Sequence, residues 1–227
     1  MNIINLIFPK KCAVCGEFTG EAVFCRVCAA KYEQIKRVPC KRCGAAHSLC
    51  RCRASRLAAY KNVRARHLFA YEGEMARGLI YKLKCKNLSG LQKFFAEEIA
   101  ALIKEEIRRG EDYLVTYAPR ARKSVREYGF DQAEILAREA AKALGLPFCR
   151  IFERERGADV QQKTLGAKER EQNAESAFYV CGGESVEGKT LIIIDDVTTT
   201  GSTAKRLCDL ALEEKSAGII FVSVAKV

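Results

Sequence analysis

No stretch of this 227-residue sequence approaches the roughly 20 consecutive apolar residues that a membrane-spanning helix needs. The opening Met1-Asn2-Ile3-Ile4-Asn5-Leu6-Ile7-Phe8 lacks a basic leading segment, and Asn5 interrupts its apolar run. It therefore makes a poor secretion signal and reads as a short helix tucked against the body. Together these absences predict a cytoplasmic protein with no membrane span. Internal repeats and low-complexity tracts are missing as well. Acidic residues are scarce at one end: residues 1–70 hold Glu17, Glu21 and Glu33 against fourteen Lys/Arg, whereas the remaining 25 of each sign balance in residues 71–227. The whole net charge of +11 thus sits in the first third. Such a patch suits a polyanion such as nucleic acid, or else simply keeps a small module soluble.

What that first third does have is cysteine. Of twelve in the chain, eight fall between Cys12 and Cys52, mostly as close pairs. Clustered pairs without a secretion signal favour metal over disulfides. Cys12-x2-Cys15 followed by Cys25-x2-Cys28 has zinc-ribbon spacing, and Gly16 suits the turn after a metal knuckle. Cys40-x2-Cys43-Gly44 followed by Cys50-x-Cys52 is a less regular second set, in which His47 is an alternative ligand. Pairing in sequence order and cross-braced pairing are both compatible with the spacing. Either way the zinc is structural, because so small a module buries too little apolar surface to fold alone. Eight zinc-bound thiolates would lower the local charge only to about +7. Cys85, Cys149, Cys181 and Cys208 are scattered and read as core or half-buried thiols.

Near Ala54–Tyr60 the composition shifts to regular periodic segments, giving a module over residues 1–58 and a second domain over residues 59–227. Helical periodicity marks Glu74–Lys86, Leu91–Arg109, Asp131–Leu144 (Asp131 as N-cap, Gly145 as terminator) and Thr203–Glu214. Tyr113–Tyr117, Phe148–Phe152, Leu191–Ile194 and Gly218–Val224 read as strands, and polar Gly157–Glu175 as a long loop. Short, continuously apolar strands alternating with helices predict an α/β domain with a mostly parallel sheet covered on both faces.

One segment carries the chemistry: Leu191-Ile192-Ile193-Ile194-Asp195-Asp196-Val197-Thr198-Thr199-Thr200-Gly201-Ser202-Thr203. A buried strand runs into two carboxylates, then a hydroxyl-rich turn, then a helix. Ligands bind at the carboxyl ends of parallel strands, and turn amides with a helix N-terminus favour a phosphate there. Two carboxylates beside that phosphate need something else to face, and ribose hydroxyls with Mg2+ fit. A phosphate flanked by a diol and a metal describes phosphoribosyl pyrophosphate (PRPP). By contrast, Gly183-Glu184-Ser185-Val186-Glu187-Gly188-Lys189-Thr190 matches a P-loop in letters only: a strand follows it where a helix should, and Glu184 and Glu187 would repel a triphosphate.

The acidic pair and threonine-glycine turn resemble the PRPP signature of type I phosphoribosyltransferases. That resemblance implies that Asp195 and Asp196 contact the ribose, with Val197, Thr198, Thr199, Thr200, Gly201, Ser202 and Thr203 around the 5′-phosphate. Upstream, Tyr117-Ala118-Pro119-Arg120 leads through a stretch in which four of seven residues are basic into Arg126-Glu127-Tyr128-Gly129-Phe130-Asp131-Gln132. With Gln161, Leu165, Arg170-Glu171-Gln172-Asn173, Phe178 and the paired cysteines, the whole chain resembles the ComF (GntX-like) family. The family usually has Asn where Asp131 stands. The resemblance implies a type I phosphoribosyltransferase fold behind a double zinc ribbon. It places Arg120, Arg126 and Gln132 toward the pyrophosphate, and Gln161 and Arg170 on a loop closing over the ligand. Lys84 matches a basic family position of obscure role. Two functions follow as expectations: transfer of phosphoribosyl to an unknown acceptor, or a competence factor that holds single-stranded DNA and uses PRPP as a regulatory ligand, with a helicase partner. Phe18, Phe24 and Tyr32 are the module's few aromatics for base stacking.

Overall fold

The computed structural model describes residues 10–20, 22–155 and 178–227. The elements are β1 (Lys10–Lys11), β2 (Phe18–Gly20), α1 (Arg26–Arg37), β3 (Val63–Ala70), α2 (Gly73–Cys85), α3 (Ser89–Lys104), β4 (Tyr113–Tyr117), α4 (Arg122–Tyr128), α5 (Gln132–Leu144), β5 (Phe152–Arg154), β6 (Phe178–Val180), β7 (Thr190–Thr198), α6 (Ser202–Glu213) and β8 (Gly218–Lys226). The expected opening helix and the Gly157–Glu175 loop lie outside the described residues. Among the described residues no helix is long and apolar enough to cross a membrane.

The sheet has the order β3-β8-β7-β4 with every pair parallel. Alternation along the two central strands sends Ile192, Ile194, Ile220 and Val222 to one face, under Leu79 and Leu83 of α2, Phe95 and Ile99 of α3, and Leu136 and Ala140 of α5. Leu191, Ile193, Ile219 and Phe221 go to the other, against Leu207 and Ala211 of α6 and Ala54 and Leu57 of the incoming chain. Apolar side chains on both faces are what a covered parallel strand requires.

The structure adjusts several expectations. β3 was hidden by its charges. Arg66 is 1% exposed, yet it reaches Glu106 at 2.9 Å, Glu105 at 2.8 Å and the carbonyl of Ser48 at 3.0 Å, so a buried cation is matched inside an edge strand. Phe148 makes only a single parallel bridge to Val115, with the Val115 amide donating to Pro147 and the Cys149 amide to Val115. The chain then turns away, and Phe152–Arg154 pairs antiparallel with Phe178–Val180. The basic run after β4 is a short helix, α4, ended by Gly129 at φ +81°. In the cysteine-rich third, where periodicity marked no regular element, α1 forms. Tyr32 of α1 is 2% exposed, donates to Glu98 at 3.1 Å and packs with Phe24, Phe69, Phe94 and Phe95. Phe24 and Tyr32 are therefore core residues, and Phe18, 66% exposed, is the module aromatic left for stacking.

His67 of β3 is 2% exposed, and its Nε2 has no hydrogen-bond partner among the described residues. Burial, then the charges of Lys226 and His47, pushes its pKa down to about 3. Below pH 6.5 the unfolded chain takes up a proton that the folded chain refuses. The His67 contribution is thus intact above pH 6.5 and is lost as pH falls toward 3, at up to about 1.4 kcal/mol per pH unit. Denaturant melts from pH 7 to 4 should show a shallower acid slope for His67→Leu than for the wild type; identical slopes would remove this account.

Candidate functional site

Residues 190–198 form one continuous strand because β8 runs as far as Lys226 and pairs with Thr198, so the two acids lie inside β7. β4 stops pairing at Tyr117 opposite Ile194, and the Ala118 amide donates to Ile194 at 2.9 Å. Beyond that point β7 is open on its β4 side, the kind of crevice where parallel sheets take ligands.

Strand alternation points the two carboxylates apart. Asp195 lines a cavity of about 60 Å³ together with every residue from Val197 to Thr203, Ala204 and Phe221. Gly201 at φ +84° swings the chain into α6, whose first turn has neither a capping side chain nor an acid. The free amides at that end, with the exposed Thr199 and Thr200 and with Ser202, make a polar concavity rich in hydrogen-bond donors, suited to one phosphate. Oδ1 of Asp195 accepts the Asp196 amide at 2.7 Å. Burial and the neighbouring Asp196 hold the Asp195 carboxyl well above the usual carboxylate range.

Asp196, 6% exposed, faces α2 and α5. Lys84 Nζ stands 3.3 Å from its Oδ1, and Gln132 Nε2 donates to its Oδ2. Arg120 donates through Nη1 to the Lys84 carbonyl at 2.8 Å and lies over the Tyr128 ring. Asp131 caps α5 by accepting from Ala133 and Glu134, and its second oxygen accepts the Arg120 amide at 2.8 Å. One carboxylate therefore fixes both the helix start and the basic turn. Burial raises its pKa, although those amide hydrogen bonds pull the other way. Arg126 is exposed on α4, with no ion-pair partner among the described residues. Gln161 and Arg170 lie outside the described residues. Lys84 had no role assignable from sequence; its position against Asp196 comes from the packing of α2 beside β7.

The cysteines gather as Cys12/Cys15/Cys25/Cys28 and Cys40/Cys43/Cys50/Cys52, with the sulfurs of each set within 4.8 Å of one another. Pairing thus follows sequence order, without cross-bracing. A tetrahedron with zinc–sulfur bonds of about 2.3 Å has edges of about 3.8 Å. The Cys15–Cys25 and Cys43–Cys50 separations of 3.6 and 3.7 Å fit it. The two knuckles match: Gly16 and Gly44 have positive φ, and their amides donate to the carbonyls of Cys12 and Cys40. The irregular Cys50-x-Cys52 still works, because the Cys52 amide donates to Cys50 Sγ at 3.3 Å. His47 is outside the set, buried with its ring 6.2 Å from that of His67. Both sets suit structural zinc, being all-thiolate and closed.

The two ends meet. Arg51, Arg64 and Arg66 surround Glu106, and Arg66 holds the Ser48 carbonyl, which clamps the second knuckle to β3. Ala54, two residues past Cys52, packs so close to Gly201 that a Cβ at Gly201 would lie 2.6 Å from the Ala54 methyl.

Comparison with known proteins agrees with this architecture. A double zinc ribbon domain model matches residues 3–59, and a phosphoribosyl transferase domain model matches residues 125–227. The protein named "Competence protein ComFC" of Streptococcus pneumoniae (strain ATCC BAA-255 / R6) is 24% identical over 225 residues, covering 91% of this chain and 95% of its own. "DNA utilization protein YhgH" of Escherichia coli (strain K12) is 30% identical over 91 residues, 40% of this chain and 39% of that protein. A hypoxanthine phosphoribosyltransferase structure from Staphylococcus aureus aligns loosely, at 14% identity and a TM-score of 0.38 over 60% of this chain and 62% of that one. The chain thus joins a double zinc ribbon to a parallel-sheet phosphoribosyltransferase domain of type I fold, and over nearly its whole length it is similar to a competence protein.

Proposed function

We propose that this chain binds PRPP at the carboxyl end of β7 and transfers its phosphoribosyl group to an acceptor, with release of pyrophosphate. The observation that carries this reading is the cavity in which Asp195 and the whole Val197–Thr203 turn converge at the uncapped start of α6. The turn holds the 5′-phosphate, and Asp195 faces the ribose hydroxyls. Lys84 and Arg120, on the open β4 side, face the pyrophosphate. In the reaction the acceptor's nucleophilic atom bonds to C1 and the C1–O bond to pyrophosphate breaks, its electron pair leaving with pyrophosphate; the acceptor's proton passes to solvent. The protein contributes placement and charge: turn amides and cations hold the two anionic ends so that C1 lies between them. Asp195 has a carboxylate oxygen not engaged by the Asp196 amide, a hard donor that fits Mg2+. When bound, that ion would neutralise charge on the pyrophosphate.

Calorimetric titration of PRPP with Mg2+ tests the reading. Wild type should bind saturably, and Asp195→Ala should bind roughly 10–100-fold more weakly, the loss expected for a charge-assisted hydrogen-bonding group. No binding by folded, zinc-loaded wild type would overturn it.

A second reading is a cytoplasmic competence factor that holds single-stranded DNA on its basic third, with a helicase as partner. The clustering of the whole +11 in residues 1–70 favours it, as do the names of the two relatives. Arg53 is a poor probe for it, since its guanidinium donates to the Tyr60, Val63 and Ala58 carbonyls and staples the fold. Neutralising the exposed Lys10 and Lys11 instead should flatten the salt dependence of DNA binding, by about one unit of log–log slope for each phosphate they neutralise. An unchanged slope would remove those lysines from the DNA-binding surface.

A further inference from the structure

Displacement at C1 needs the acceptor and the leaving group on opposite sides of that carbon. In the sheet order β3-β8-β7-β4, Lys84 and Arg120 stand on the β4 side of the β7 acids. The other side, toward β8 and β3, holds a groove of about 300 Å³ between the second cysteine knuckle and the phosphate turn. Thr199 lines both this groove and the phosphate cavity, so the two are contiguous. The tight contact of Ala54 with Gly201 fixes their relative position.

The wall of this groove has a definite chemistry. Lys41, Arg42, Arg53 and Lys226 line it, opposed by Glu72. Arg53 and Lys226 are already committed to main-chain carbonyls, Lys226 to that of Cys52 at 2.8 Å. Lys41 is exposed and pairs with Glu72 at the surface; Arg42 is exposed and makes one long bond, 3.3 Å, to the Arg53 carbonyl. These two are the cations open to a ligand. His47 also lines the groove, 7% exposed, with Nδ1 lacking any hydrogen-bond partner among the described residues. A buried ring nitrogen left in that state costs free energy unless something fills the bond. Among the described residues no Phe, Tyr or Trp side chain is on this wall, so the usual stacking platform for a planar base is missing.

Building on the PRPP reading, we infer that this groove is the acceptor subsite and that the acceptor carries a phosphate monoester rather than being recognised as a free nucleobase. Lys41 and Arg42 bind the phosphate. The zinc knuckle thereby forms one wall of the acceptor site, holding its two cations at a fixed distance from the phosphate turn. A small phosphorylated metabolite and the 5′-phosphorylated end of a nucleic acid present the same chemistry.

The test titrates three probes into zinc-loaded full-length protein saturated with PRPP and Mg2+, so that the phosphate turn is already filled. The probes are glycerol 3-phosphate, 5′-phosphorylated trithymidylate with its unphosphorylated counterpart, and hypoxanthine. At least one phosphomonoester should bind, and Lys41→Gln/Arg42→Gln should weaken it tenfold or more while PRPP affinity moves less than twofold. Binding of both phosphomonoesters points to a small molecule; binding of the phosphorylated trinucleotide alone points to a nucleic-acid end. The inference is overturned if neither phosphomonoester binds, if the charge variant binds as wild type does, or if hypoxanthine binds and phosphate adds nothing. Wild type that binds no PRPP at all defeats the PRPP reading and this inference with it, whereas PRPP binding without phosphomonoester binding defeats this inference alone.

Discussion

Replacing Cys28 with serine should remove one of two zinc ions per chain and lower the melting temperature of the whole protein, not only of its amino-terminal third. Cys28 is 4% exposed and lies on α1, in the same apolar cluster as Leu83, Phe95 and Ile99. Zinc sites of this kind supply folding free energy directly, on the order of 10 kcal/mol in isolated zinc peptides. Here the site also anchors Phe24 and Tyr32, which close one side of the core around Phe69, Phe94 and Phe95. Releasing α1 would expose those rings, each of which stabilises the fold by about 2 kcal/mol when buried. We expect a loss of at least about 3–5 kcal/mol, at the severe end for single substitutions. Cys149→Ser, at a half-buried thiol outside both sets, is the control and should keep two zinc ions and a near-normal melt. If Cys28→Ser retains both ions or melts with the wild type, the first cysteine set is not the anchor argued here.

Gly201→Ala should be the most damaging small change at the phosphate turn. Its cause is double. A residue at φ +84° other than glycine costs about 1–2 kcal/mol. The added methyl would also meet the Ala54 methyl at 2.6 Å, closer than carbon atoms pack. We expect a combined cost of about 2–4 kcal/mol, relieved in part by moving the turn and thereby spoiling the cavity. PRPP affinity should fall with it. Ala54→Gly removes the clash but not the dihedral penalty, so the double variant Ala54→Gly/Gly201→Ala should recover about 1 kcal/mol relative to the sum of the single changes. Strict additivity in denaturant melts would mean that the two positions do not touch in solution.

Much of this architecture could be read from the chain. The apolar run Leu191–Ile194 before Asp195 needs a sheet covered on both faces, and Asp131 and Gly145 bracket α5 with the cap residues that physics favours. The cysteine spacing announced thiolate knuckles, each built from a local turn, but left their pairing and the place of His47 open until the structure grouped the sulfurs. β3 escaped because its alternating arginines, Arg64 and Arg66, look like a solvated strand face or loop; only the distant Glu105 and Glu106 make Arg66 a core residue. α1 escaped because cysteine pairs suggested turns, and the helical stripe of Cys28 and Tyr32 is short. The opposed orientation of Asp195 and Asp196 follows from strand alternation, but only once the strand is known to continue past Ile194. The meeting of Ala54 with Gly201 joins opposite ends of the chain and leaves no local trace.

That last contact binds two chemistries into one thermodynamic system. A ligand that tightens the phosphate turn and a metal that tightens the Cys40–Cys52 loop act on the same pair of touching residues. On the proposed PRPP reading, whatever factor zinc imposes on PRPP affinity PRPP must impose on zinc affinity, since coupling free energy between two bound species is reciprocal.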